Sequence, residues 1–505
     1  MKAIVTLALT AALLLHAAAV GAQVTGSLSG TVLDSSGLPM PGVKLKLVSE
    51  ATGAMREVES GTEGNFVFNA VPPGFYTLTA EYAGFRKYER KKIELTASDN
   101  FSAGQIRLEV GAVADSITVV EQGASVQIAS GERSGVVTSA EVENLTVINR
   151  DFAVLVSLMP GVVDNPGSES QGFAGGSSAN FNVQGGRNTG NSITIDGQPT
   201  ESALMYARNT AISMEAVTTV KILVSNYQAE FGRKPGASIQ AVTRGGSKDF
   251  HGSAYWYKRH EMLNANSFFN NRNAVPESVY RHLLAGFSVN GPVYVPRFSD
   301  RKNPKVFFSF THEILGEARP QAIRQLTMPT ELERRGDLSD SRDLNGALIL
   351  VRDPLLGLTC STTNRTGCFP DNVIPASRIN VNGQNYLKIF PLPNLDATTT
   401  ILAARRYNWQ TQESLDVPRN TQTLRLDYNH NPHTTFYARY LRWDEKVGGY
   451  AVPAGNGNWG FLPAVYSDNT NALTLSGTRI LSPSLILEAS SALSIFIEGS
   501  RPRTP

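Results

Sequence analysis

Val43, Leu45 and Leu47 alternate with Lys44 and Lys46, and Phe66 and Phe68 repeat the pattern. After a turn at Pro72-Pro73-Gly74, Tyr76, Leu78, Ala80 and Tyr82 repeat it again. A period of two is that of a half-buried strand, and strands at roughly ten-residue spacing with turn residues between them predict a β-sandwich over residues 25 to about 110. Residues 133 to 246 mix periods. In NRDFAVLVSLMPGV, Phe152, Leu155, Val156 and Met159 share one helical face, Asn149 is the N-cap candidate and Pro160-Gly161 the stop. A Gly/Ser/Asn-rich loop follows, then the strand SITIDG, a helix-to-strand passage ISMEAVTTVKILVS, and an alternating strand Ser238–Thr243. From Phe250 onward alternation returns over 251–259, 283–295, 305–313, 421–430, 433–443, 471–481 and 484–496. In several of these one face is apolar or aromatic and the other polar, which fits a wall between lipid and lumen and equally an ordinary sandwich.

The N-terminus departs from this pattern. Lys2, the apolar run AIVTLALTAALLLHAAAV and a small-residue site with Val20 and Ala22 at its −3 and −1 positions predict a cleaved secretory signal over residues 1–22. After it no window of about 18 apolar residues occurs, so the chain is expected either to be soluble and exported or to cross a membrane as a barrel. With 46 basic against 44 acidic residues, no broad attraction to nucleic acid is expected. Cys360 and Cys368 enclose CSTTNRTGC, and in an oxidising compartment they are expected to close a small disulfide loop; two cysteines without clustered histidines make a poor zinc site.

No catalytic motif survives inspection. Gly185-x-x-x-x-Gly190-Asn191-Ser192 has the spacing of a phosphate loop, but Asn191 stands where the lysine must be and a strand pattern follows in place of a helix. His260-Glu261 and His312-Glu313 lack the second histidine of a zincin, and no Gly-x-Ser-x-Gly elbow occurs. Between sandwich and mixed domain lies ADSITVVEQ. Its β-branched core reads as one more sandwich strand or as an extended peptide that another protein pairs with by strand addition.

Two resemblances sharpen the picture. Gly30-x-Val32-x-Asp34-x-x-Gly37-x-Pro39-x-Pro41-Gly42, Thr62-x-Gly64-x-Phe66-x-Phe68, Pro73-Gly74-x-Tyr76 and Gly84-Phe85 resemble the carboxypeptidase regulatory-like domain, a transthyretin-like sandwich without the zinc centre of the enzymes it accompanies. Gln184-Gly185-Gly186-Arg187 leading to Ile195-Asp196-Gly197, Met214-Glu215-x-Val217 with Val220-Lys221-Ile222, and Ala229-Glu230-Phe231-Gly232 resemble the plug of TonB-dependent outer-membrane receptors. FGRKPGASIQAVTRGGSKDFHGSAYWYKR, Ala285-Gly-Phe-Ser-Val-Asn-Gly-Pro, Val306-Phe-Phe-Ser-Phe and Ile374-Pro-Ala-Ser-Arg-Ile are similar to the Oar-like branch of these receptors, from about residue 25 nearly to the end.

The resemblance implies a mainly β chain: signal 1–22, transthyretin-like sandwich 23–112, a TonB-box-like segment 113–121, an α+β plug 122–246, and over 247–505 the first part of an antiparallel transmembrane β-barrel. It implies a transporter of the Gram-negative outer membrane, with the sandwich in the periplasm, no enzymatic activity and no cofactor. The partners implied are a TonB-type energy-coupling protein, outer-membrane lipid, and an extracellular ligand that is a siderophore, glycan, peptide or protein. Asp115, Ser116, Ile117, Thr118, Val119 and Val120 would be the strand the coupling protein pulls. Arg187, Asp196, Glu230 and Arg233 are the candidates for polar contacts between plug and wall, and the polar, Pro-rich region between Gly316 and Val417 for an extracellular loop. Receptors of this class close far larger barrels than seven strands, so the chain is expected to be incomplete; the alternative is an exported carbohydrate-binding or adhesion protein that does not transport.

Overall fold

The computed structural model describes residues 25–111, 116–120, 131–145, 150–164, 181–200, 210, 212–272, 276–294, 303–320, 323–343, 345–395, 407–412, 414–449, 464–482 and 485–502. The signal segment, Asp115 and Asn149 lie outside these residues.

The first layer pair is the sandwich. Its strands are β1 (Gly26–Asp34), β2 (Lys44–Ser49), β3 (Met55–Glu59), β4 (Asn65–Val71), β5 (Gly74–Glu81), β6 (Lys87–Leu95) and β7 (Asn100–Leu108). A further strand, β8 (Ser116–Val120), follows. They form a three-stranded sheet, β4-β1-β7, facing a five-stranded one, β3-β2-β5-β6-β8. The alternation read from sequence puts Leu28, Leu45, Leu47, Leu78, Ile93 and Ile106 into the space between them, all essentially inaccessible to solvent. Each such side chain contributes about 1.5–3 kcal/mol by leaving water. Tyr82 falls past the end of β5 and is exposed.

The middle domain joins one five-stranded sheet to short helical segments. Its strands are β9 (Arg133–Val137), β10 (Val162–Asp164), β11 (Phe181–Val183), β12 (Ser192–Ile195), β13 (Gln198–Pro199), β14 (Val217–Ser225) and β15 (Ser238–Thr243). The sheet runs β13-β12-β15-β14-β9, with β12 and β15 buried at every position. The amphipathic run after Asn149 forms a 3-10 helix, Phe152–Leu158, whose N-cap is Asp151: its carboxylate accepts from the Ala153 amide at 3.0 Å. Asp151 is closer to the first apolar residue than Asn149 and offers the same kind of acceptor.

All seven wall strands expected from alternation exist, and they pair in chain order. They are β16 (His251–His260), β17 (Arg281–Pro292), β18 (Val306–Pro320), β21 (Ser414–Asn431), β22 (Thr434–Gly449), β23 (Ala464–Ser482) and β24 (Leu485–Pro502). The short β19 (Arg324–Leu326) and β20 (Trp409–Thr411) pair with each other and close the base of the long loop between β18 and β21. Because directly opposite residues share a face, the register sorts the sheet into rows. Val289, Phe310, Leu424, Tyr440, Leu473 and Leu493 form one row across six strands, on the face that exposes Leu485, Leu487, Ile495 and Ile497. On the other face Asn290, Ser309, Arg425, Arg439 and Thr474 form the neighbouring row. An apolar face against a polar one, maintained over strands of up to 19 residues, is the design of a membrane wall. Leu441 and Trp443 of β22 leave the polar face to join the apolar core of the middle domain, which therefore packs inside the wall as a plug.

Candidate functional site

The register creates an electrostatic problem at the centre of the wall. Arg425 and Arg439 stand directly opposite one another on β21 and β22, and like charges so placed repel. The plug supplies the answer at the tip of a hairpin. Ile195 pairs with Gln198, leaving Asp196-Gly197 as the two-residue loop, with φ of 49° and 76°. Asp-Gly is the sequence a tight hairpin with two left-handed residues favours. The turn pushes the Asp196 carboxylate against the wall. There it accepts from Arg439 Nη1 at 2.7 Å, from the Thr243 amide at 2.8 Å and from the Thr243 hydroxyl at 2.6 Å, with Arg425 Nη1 at 3.7 Å. Arg425 donates in turn to the Thr243 carbonyl and to Asp427, while Arg439 reaches Thr474. Burial pushes the Asp196 carboxyl up, but the two guanidiniums and the Thr243 bonds outweigh it, so the carboxyl lies below its ordinary value. Asp196 from the plug and Asp427 from the wall together thus balance the two wall arginines.

A second contact holds the other side of the plug. Arg150, with φ of 46°, ion-pairs with Glu215 and lies over the rings of Tyr255 and Tyr257 at 5.0 and 5.3 Å. Tyr255 donates to Glu313 of β18 at 2.7 Å, and the Ser213 hydroxyl donates to the same carboxylate at 3.2 Å. Ser213 also caps the Met214–Ala216 turn. The end of the plug, expected at residue 246, lies beside the first contact: the Gly246 amide donates at 3.1 Å to Asp427, which also pairs with Arg425.

A third contact faces the sandwich. Lys221 sits mid-strand in β14, 2% exposed, ion-paired with Glu132 at 2.8 Å and donating to the Ser98 carbonyl of the sandwich at 3.0 Å.

Of the four plug residues selected from sequence, Asp196 lies on the wall as described; Arg187, Glu230 and Arg233 are exposed on plug turns. Arg150, Ser213, Glu215, Arg425 and Arg439 were not selected. The arginines of β21 and β22 carry a usable signal, a charge at the inward parity of strands whose outward positions are Leu and Tyr. Arg150 carries none, since its partners are more than 60 residues away. Cys360 and Cys368 are bonded, with Cα atoms 4.8 Å apart. The loop around them is tied by Arg378 to Asp353 at 2.5 Å, by Asn372 to the Leu338 and Ile349 carbonyls, and by a capping box at Thr330. Ser116–Val120 pairs in parallel with β6, from Lys87↔Ser116 to Lys91↔Val120, as the last strand of its sheet. Among the described residues no group of three or more His, Cys, Asp or Glu is placed to hold a metal.

A family model for the outer membrane beta barrel domain matches residues 242–504, which is 263 of the 505 residues and more than half of the chain. The chain belongs to the outer membrane beta barrel domain family. A second family model, the carboxypeptidase regulatory-like domain, matches residues 27–109 of this outer-membrane barrel protein. The protein is 28% identical over 255 residues to the TonB-dependent transporter Oar of Myxococcus xanthus, covering 48% of this chain and 23% of that one. Among solved structures it is similar to the outer membrane transporter YddB from Escherichia coli, with 11% identity, a TM-score of 0.43, and coverage of 73% of this chain and 39% of that one. It is also similar to BauA, the ferric preacinetobactin receptor from Acinetobacter baumannii, with 11% identity, a TM-score of 0.36, and coverage of 74% and 48%. The chain therefore spans less than a quarter of the curated relative and under half of either structure. A regulatory-like sandwich ahead of an outer-membrane wall is the order the two family models give, and the barrel family places the protein in the outer membrane of a Gram-negative bacterium.

Proposed function

We propose that the protein is the front part of a receptor that binds an extracellular ligand and imports it with energy coupled from the inner membrane. The observation that carries this reading is the seat of Asp196. The plug meets the wall through polar contacts, the ion pairs of Asp196 and the Ser213 hydrogen bond to Glu313, in addition to the apolar packing at Leu441 and Trp443, and polar contacts can be exchanged for water when the plug moves. In this reading the sandwich lies in the periplasm, and a TonB-type protein takes hold of Asp115–Val120 by strand addition. The ligand meets the loops at the opposite end, where the disulfide-bonded region between β18 and β21 stands. The seven-stranded sheet has open edges at β16 and β24, and unpaired edge groups cost several kcal/mol each in lipid, so the complete receptor supplies further strands. The ligand class is open: siderophore, glycan, peptide and protein all fit.

The test is a deletion of residues 116–120 in the complete receptor, expressed in its host. Cells are offered a labelled ferric siderophore, oligosaccharide or peptide. The probe that binds is expected to bind the deletion variant equally well and to accumulate only in cells with the intact segment. Equal accumulation in both would refute energy coupling through this strand.

A further inference from the structure

We propose that the sandwich stows the coupling segment as its own edge strand, and that Lys221 locks the sandwich to the plug while the segment is stowed. The inference rests on the coupling role given above to Ser116–Val120. Two contacts meet on one short stretch of chain. At its start, β8 is zipped to β6 over five residue pairs, so one of its two hydrogen-bonding edges is already occupied. At its end, Glu132 is ion-paired with Lys221, and both side chains are more than nine-tenths buried, at 7% and 2% exposure.

Lys221 joins three parts of the molecule. It belongs to plug strand β14, it holds Glu132 from the linker, and it donates to the carbonyl of Ser98 in the turn between β6 and β7 of the sandwich. That turn touches the plug again, through Ser98 Oγ and Gln240 Oε1 at 3.4 Å. Ser98 holds a φ of 50°, a left-handed conformation a serine adopts only where its surroundings fix it. Two more contacts complete the dock. Glu94 accepts from the Ser139 hydroxyl at 3.1 Å, and Ala51 accepts from the Lys248 amide at 2.8 Å.

The sequence of events follows from chain order. A pull on 116–120 first peels β8 from β6, and among the described residues the next contact along the chain is that of Glu132. Drawing Glu132 away removes the direct ion-pair partner of a buried ammonium and leaves it the Ser98 carbonyl and the more distant Asp99 carboxylate, a state that is disfavoured. Lys221 then hydrates and the sandwich lifts. Stowing and docking are therefore one switch, and the competent fraction of the segment sets the apparent affinity of whatever takes hold of it.

The experiment uses the complete receptor purified in detergent micelles, where both faces are accessible, and, as probe, the purified periplasmic domain of the host's energy-coupling protein. Glu89 and Thr118 lie directly opposite in the β6–β8 register, and a strand spacing of about 4.8 Å is within the Cα separation a disulfide spans. Glu89→Cys with Thr118→Cys is expected to cross-link on mild oxidation, and the oxidised form to bind the probe at least tenfold more weakly than the same protein after reduction. Glu132→Gln, which breaks the lock without touching the plug core, and Lys221→Met are expected to tighten probe binding several-fold and to lower the cross-link yield. The control pair Thr79→Cys with Glu89→Cys, opposite each other on β5 and β6, reports that oxidation works. Cross-linking of the control without cross-linking of the test pair overturns the stowed strand. A cross-link that leaves probe binding unchanged overturns the lock. Separately, undiminished probe binding after deletion of 116–120 overturns the coupling reading itself, whatever the cross-link shows.

Discussion

Replacing Asp196 by asparagine keeps the shape of the hairpin tip and removes its charge. At an effective dielectric of about 20, charges separated by 2.7 Å and 3.7 Å attract by about 6 and about 4.5 kcal/mol. Most of that is offset by the desolvation of the carboxylate and both guanidiniums. Removing one partner of a buried pair costs about 3–5 kcal/mol, because the remaining charge stays buried. Here the remaining charge is chiefly Arg439, since Arg425 keeps Asp427 at 2.9 Å. At about 1.4 kcal/mol per factor of ten, Asp196→Asn should raise the opening of the plug from the wall roughly 100- to 5,000-fold. Hydrogen exchange measured by mass spectrometry on peptides covering 192–200 and 238–243 reads this directly. Adding Arg439→Gln should restore most of the protection, because no uncompensated charge then remains. Protection within twofold of wild type in the single variant, or a double variant worse than the single, would refute the assignment of Asp196 as the counter-ion of the wall arginines. The pH dependence has a definite sign. A carboxyl lowered on folding contributes stability above its unfolded value and loses it as pH falls through the folded one. Protection should therefore be flat from neutrality to about pH 4 and decline below it, and Asp196→Asn should abolish that decline.

Arg150→Ala removes an ion pair and two ring contacts at once; a loss of about 2–4 kcal/mol should speed exchange in β16, and Arg150→Lys should not rescue it, because an ammonium lacks the flat face that stacks on Tyr255 and Tyr257. Gly246→Ala would place a Cβ 2.5 Å from both Phe307 Cβ and the Phe308 amide; with backbone on one side there is no room to yield, and a cost of about 1–3 kcal/mol or more should appear as a smaller fraction of protein folded into the outer membrane on cold-gel mobility. Breaking the Cys360–Cys368 bond by Cys360→Ser with Cys368→Ser should destabilise the loop by about 2–3 kcal/mol, the entropy of an eight-residue closure; limited proteolysis should then cut within 340–380 while the wall strands stay resistant.

The sandwich and the wall were legible because each strand buries one face, and a one-residue slip would turn every apolar side chain outward. What the pattern hid was length. β22 was expected to end at Trp443, where Asp444, Glu445 and Lys446 interrupt the alternation, yet it continues to Gly449 because β23 still supplies backbone partners. In that extension Val447 packs with Leu415, Val417, Ala464 and Tyr466, a small apolar cluster that the interrupted alternation conceals. The plug was less legible. Its helix start was misplaced by two residues, since Asn149 and Asp151 are both good caps and only packing decides between them. Asp196 stands out through the resemblance of Ile195-Asp196-Gly197 to a plug signature, but its arginine partners lie more than 220 residues on, and nothing local to Asp196 names them. Lys221 stands in an otherwise apolar strand, and its meaning as a contact to Glu132 and Ser98 required the sandwich to be in place.

The connection between plug and wall has a mechanical consequence. Residues 244–250 are the whole link between the end of β15 at Thr243 and the start of β16 at His251. Seven residues reach at most about 25 Å when taut, and this link is moored along its course, by Gly246 to Asp427 and by Lys248 to Ala51. The leash leaves from β15, the central strand of the plug sheet, whereas β9 is a margin strand that among the described residues pairs only with β14. The plug is thus a gate with a short leash at its middle and a leaf at its edge. Tension from the N-terminal side can fold the leaf back, but it cannot carry the gate away. In the proposed coupling the seven-residue link would keep β15 within about 25 Å of its own seat, so reclosure would need no distant search.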